Sequence, residues 1–120
     1  MEFEKEELKK AILVLSSTIS RCEKMQLKFA EGSSQHTLLK NRIKALCISK
    51  ALIEDRLENK ATINYSQEEL REALAPVTSI INKTTKAQSK YEMGSNSYKR
   101  FEDLIKTMWI SKKLIEEQIN

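Results

Sequence analysis

The residues that could support chemistry in this chain are few. There is one histidine, His36, and there are two cysteines, Cys22 and Cys47. A di-iron bundle needs Glu-x-x-His on two helices and two further inward carboxylates, which a single histidine cannot supply. No Cys/His spacing matches a zinc site, and no glycine-rich loop is present to cradle phosphate. A nucleophilic pair would have to join His36 to Cys22 or Cys47. Cys22 falls on an apolar helical stripe and Cys47 at its margin, where thiols usually serve as small packing groups. These readings predict a non-enzyme with no metal and no cofactor.

The organised chemistry is cationic. Arg21, Lys24 and Lys28 step by three and four, and Lys83, Lys86 and Lys90 repeat the pattern. On a helix that spacing lines one solvent face. Residues 17–46 and 79–108, which include Lys44 and Lys106, carry 12 Lys/Arg against 5 Asp/Glu, whereas the rest carries 9 against 12. Cations near helix C-termini complement the helix dipole, so a solvated face is the simplest account. The functional account is a docking surface, with these six cations as the partner-binding residues. An acidic protein is the first expected partner, because mixed charge suits specificity. Nucleic acid is the alternative, with salt-sensitive binding; Glu23, Glu92, Glu102 and Asp103 interrupt the patch, and no reader motif is present. An anionic membrane surface ranks third.

Two polar pairs fall on or near the apolar stripes. Gln26 and Gln88 sit at stripe centres, where a buried amide needs partners. Their symmetry admits either a packing-register role or a shared cavity. Lys50 and Lys112 lie near the margin, where an aliphatic stem can reach outward.

What positions these residues is a repeat. Residues 7–57 align without a gap onto 69–119, an offset of 62, with 18 identities in 51 positions. The clearest block, Ile43-Lys44-x-x-x-Ile48-Ser49-Lys50-x-Leu52-Ile53-Glu54, returns at 105–116. Such a period marks a doubled supersecondary unit. The 120 residues, with two Gly, one Pro and 32% charged residues, describe one helical domain over 1–120. No segment approaches the ~18 apolar residues of a membrane span, so no membrane insertion is expected. The acidic stretch Met1–Glu7 lacks the positive start of a secretory signal. Two cysteines without a pairing pattern fit free thiols in the cytoplasm.

Leu8, Ile12, Leu15, Ile19, Cys22 and Phe29 recur at three- and four-residue steps, as do Leu70, Leu74, Val77, Ile81, Thr84 and Tyr91. Leu39, Ile43, Leu46, Ile53 and Leu57 mark the second helix, and Phe101, Ile105, Met108, Ile115 and Ile119 the fourth. Gly32 and Gly94 are read as helix C-caps, Ser33 or Ser34 and Ser95 or Ser97 as N-caps. Ser66-x-x-Glu69 is a capping box, with Tyr65 placed to staple onto Leu70. Helices are therefore predicted at about 3–31, 34–59, 66–92 and 96–119. Short connections make neighbours antiparallel. The predicted fold is all-α, an up-down-up-down antiparallel four-helix bundle built from a duplicated hairpin, with both glycine turns at one end. The chain is expected to be a monomer or a homodimer, the latter by exchanging hairpins. Pro76 interrupts the third helix and should bend it; a tolerated kink is the default, a kink that opens a pocket the alternative.

The expected function is a non-catalytic regulatory or protein-interaction module contacting an acidic partner. A nucleic-acid accessory protein is the alternative, and a ligand-binding or metal bundle enzyme has least support.

Overall fold

The computed structural model describes residues 2–61 and 64–120; Met1, and Thr62 and Ile63 in the predicted 60–65 connection, lie outside the described residues. Four helices follow one another: α1 (Lys5–Gln26), α2 (Ser34–Leu57), α3 (Gln67–Gln88) and α4 (Asn96–Gln118). Among the described residues there is no strand, and the fold is an all-α four-helix bundle.

The helix starts are set by local hydrogen bonds. Ser33 Oγ accepts the His36 N–H at 3.2 Å, and Ser95 Oγ accepts the Tyr98 N–H at 3.1 Å. At α3, Ser66 and Glu69 exchange bonds of 3.0 and 3.1 Å, the reciprocal pairing of a capping box. Glu7 does half of the same at α1, taking the Glu4 N–H at 3.1 Å. The acids of these first turns, Glu6, Glu7, Glu68 and Glu69, also complement the positive end of the helix dipole.

Both long hairpin arms end earlier than periodicity predicts. α1 stops at Gln26 rather than 31, and α3 at Gln88 rather than 92. The chain first tightens into three-residue bonds, Lys28 N–H to Met25 O and Tyr91 N–H to Gln88 O, both 3.0 Å. Gly32 then occupies the third position of a turn closed by Ser33 N–H to Ala30 O at 3.0 Å, with φ +88°. Gly94 does the same at φ +89°, closed by Ser95 N–H to Glu92 O at 3.1 Å. That is the glycine position of a type II turn. The left-handed requirement read from the sequence is present, but it serves the turn before the N-cap and not a helix C-cap. One consequence corrects the predicted core: Phe29 and Tyr91 lie beyond the helix ends and are exposed. Tyr91 packs its ring on Phe101 at 5.5 Å between centroids.

The buried residues divide the helices into two kinds. α1 buries one stripe, Leu8, Ala11, Leu15, Thr18 and Cys22, as a helix with one covered face should. α2 buries adjacent pairs, Ala45-Leu46, Ile48-Ser49 and Leu52-Ile53, and α4 buries Thr107-Met108, Ile110-Ser111 and Leu114-Ile115. Pairs of neighbours span a wider arc than a single stripe, so α2 and α4 must be covered on more than one side. They are: each touches all three other helices, whereas α1 and α3 make no contact with one another. The strongest block of the repeat therefore lies on the two central helices. Sequence periodicity assigned Leu46 and Ile53 to the core but left out Ile48, Ser49 and Leu52.

The molecule measures 39 × 37 × 21 Å. A 22–24-residue helix is roughly 33–36 Å long and roughly 10–12 Å thick, so the bundle is a slab two helices thick and a helix length along both other edges. Two hairpin layers stack with their axes rotated, instead of forming a rod. Ion pairs between the hairpins reflect this stagger. Lys10 meets Asp103 at 3.0 Å and Lys44 meets Glu69 at 3.7 Å, while Arg56 pairs with Glu117 near both C-terminal ends.

Candidate functional site

The six predicted cations, Arg21, Lys24, Lys28, Lys83, Lys86 and Lys90, are all exposed. None forms an ion pair with another described residue. Arg21 only reaches back to Thr18 Oγ1 at 3.5 Å. Lys24 and Lys86 lie in the last turns of α1 and α3, where the dipole stabilises them by about 0.3–1 kcal/mol each. Lys28 and Lys90 lie past those helix ends, so each stripe is two helical cations followed by one in the turn. The stripes lie on different hairpins, whose arms α1 and α3 do not touch, so the cations fall into two groups of three, one per hairpin.

Beside these cations stand apolar side chains that the sequence reading did not select. Leu27 is 87% exposed and Met93 84%, with Met25 also exposed. Leu27 and Met93 lie past the ends of α1 and α3, and Met25 in the last turn of α1. Trp109, on α4, is 52% exposed, and Lys112 Nζ lies 5.0 Å from its ring centroid, within range of a cation–π attraction.

The paired glutamines do not meet. Gln26 Nε2 donates to His36 O at 3.3 Å, and Gln88 Nε2 donates to Tyr98 O at 3.2 Å. Each amide ties the end of one helix to the first turn of the next within its own hairpin. Of the two alternatives read from the sequence, the structural one is what the geometry gives. Ser49 and Ser111 are fully buried and return their hydroxyls to Ala45 O and Thr107 O at 2.8 and 2.9 Å, which satisfies them without a partner from outside.

The thiols are not armed. Burial pushes Cys22 above its ordinary range, against the pull of Arg42 and Arg21; burial, reinforced by Glu23, does the same for Cys47. A raised pKa lowers the thiolate fraction that reacts. Cys22 is buried and Cys47 exposed, both free. Among the described residues no group of three or more His, Cys, Asp or Glu is placed to hold a metal ion, and no helix is long and apolar enough to cross a membrane.

Among the clefts between the hairpins, two are related by the repeat. One, between α2 and α3, has a volume of about 630 Å³ and is lined by Leu38, Ala45, Ile48, Ala73 and Pro76 with Asn41, Lys44, Glu69 and Glu72 at its polar edge. The other, between α1 and α4, has a volume of about 480 Å³ and is lined by Lys10, Leu13, Val14, Arg21, Phe101, Asp103 and Leu104. Many lining positions correspond across the offset of 62: Pro76 to Val14, Glu72 to Lys10, Asn41 to Asp103. Pro76 lines the larger cleft and Val14 the other, so a cleft forms at this position with and without proline. Comparison of the chain with protein-family models, curated proteins and solved structures returns no match.

Proposed function

We propose that this chain, a pair of duplicated helical hairpins, is a non-catalytic cytoplasmic interaction module that grips an acidic protein partner through its cationic hairpin ends. The observation that carries the reading is that all six cations are exposed and unspent in ion pairs. Leu27 and Met93 beside them offer apolar anchors, and binding interfaces concentrate their energy in such anchors with charge steering the encounter. Two groups of cations, one per hairpin, make the grip bivalent, so one partner held by both gains through effective concentration. The module acts as a monomer or a homodimer.

The test is reversal of charge. Arg21, Lys24, Lys83 and Lys86 replaced together by Glu should abolish capture of the acidic partner, with helicity and melting nearly unchanged because these side chains are exposed. Reversal of one hairpin alone should weaken capture without abolishing it. Unaltered capture by the fourfold variant would refute the reading.

A second reading rests on Trp109. A half-exposed indole beside Lys112, with Lys106 and Lys113 on the same helix, is the combination on which single-stranded nucleic acid stacks. Trp109 is the sole tryptophan, so its emission reports on that surface directly. Quenching by an oligothymidylate that weakens steeply with salt supports this reading; no change at low salt removes it.

A further inference from the structure

Among the positions at which the two seam clefts differ, one pair changes the charge. In the α1–α4 cleft, Lys10 and Asp103 close an ion pair of 3.0 Å across the opening. The corresponding positions in the α2–α3 cleft are Glu72 and Asn41. Here an acid and a neutral amide line the cleft, and Glu72 forms no ion pair with another described residue. The cleft's other acid, Glu69, is already engaged by Ser66 N–H and Lys44.

Pro76 adds a second acceptor. Proline has no N–H, so the Glu72 carbonyl, four residues earlier on α3, lacks the donor that a regular helix supplies from that position. Val14 stands at the matching place in α1 and keeps its N–H. The α2–α3 cleft thus carries an uncompensated carboxylate and a released carbonyl on one residue, beside an apolar floor of Leu38, Ala45, Ile48, Ala73 and Pro76. Its volume of about 630 Å³ falls within the roughly 300–1,000 Å³ of small-molecule sites.

We infer that this cleft binds a small organic amine, its ammonium group held by the Glu72 carboxylate and carbonyl and its apolar body resting against Ile48 and Pro76. The ligand supplies the cation that Lys10 builds into the other cleft. Specificity follows from chemistry: an alcohol of the same shape lacks the charge, and a carboxylate of the same shape is repelled.

The test uses hexylamine, hexanol and hexanoate against the ¹⁵N-labelled full chain, read as amide shifts in NMR. Hexylamine should give saturable shifts at Leu38, Ala45, Ala73 and Ala75, with amides around Val14 and Leu104 still. Glu72→Gln should weaken binding at least fivefold in a protein whose spectrum is otherwise unchanged, since Glu72 is exposed. Pro76→Ala, which returns a donor to the Glu72 carbonyl, should weaken it less. Glu72→Lys with Asn41→Asp installs the pair of the other cleft and should abolish binding. No saturable shift up to about 10 mM hexylamine, which puts affinity weaker than any specific site of this kind, overturns the inference. So do equal shifts with hexanol, or full binding by Glu72→Gln.

Discussion

Replacing Gly32 with alanine tests the left-handed backbone of the hairpin turns by the sign of the effect. Gly32 sits at φ +88° and Gly94 at φ +89°, and a Cβ added at either meets no atom within 4 Å. The cost is therefore conformational and not steric. Placing an L-residue in left-handed backbone costs about 1–2 kcal/mol, partly offset by the ~0.4–1 kcal/mol that alanine gains by stiffening the unfolded chain. The net loss is about 1 kcal/mol per site. Unfolding entropy near 2.1 cal/mol/K per residue gives about 250 cal/mol/K for 120 residues, so each substitution should lower Tm by about 4 °C. The turns belong to different hairpins, so Gly32→Ala with Gly94→Ala should lose about 8 °C, the two effects adding within ~0.5 kcal/mol. Asparagine, which tolerates positive φ better, should cost less at either site. The assay is thermal unfolding followed by circular dichroism. If alanine raised Tm at either position, the backbone there would not be left-handed, and the type II turn assignment would be wrong.

The acid limb of stability offers a second check. Glu69 is held below the ordinary carboxylate range mainly by the Ser66 backbone N–H, with help from Lys44; its folded pKa is depressed, so its contribution is present above the unfolded value and is lost as pH falls through the folded one. Glu69→Gln should therefore flatten the pH dependence of unfolding below about pH 4.5, and an unchanged acid limb would show that the capping box contributes nothing. For the thiols, a maleimide should label exposed Cys47 first and reach buried Cys22 only as the chain opens, and the Cys47 rate should keep rising above the ordinary thiol pKa because its own is raised. Simultaneous labelling of the two in the native protein would contradict the burial of Cys22.

The hairpin motif was readable because its determinants are local. A serine that caps and a glycine that takes positive φ each act within a few residues and repeat at 62, while the Ser66–Glu69 capping box has Glu4 and Glu7 at the matching positions. The glycine's conformation was therefore predictable while its role was not. Whether Gly32 ends α1 or closes the next turn depends on where the helix stops, and Gln26 reaching across to His36 O is a contact between elements. Phe29 and Tyr91 were placed in the core because periodicity extends a stripe for as long as apolar residues continue.

Residue order alone determined four amphipathic helices, the serine N-caps of α2, α3 and α4, and the exposure of the six cations, since spacing along a helix fixes which side chains share a face. Only the tertiary structure decided that α2 and α4 lie at the centre, that Lys10 pairs with Asp103, and that Glu72 and Asn41 share a cleft. Those facts depend on the rotation of one hairpin layer over the other, which is set by how buried pairs such as Ile48-Ser49 and Ile110-Ser111 pack against neighbouring helices. The period of a single helix carries no information about that angle.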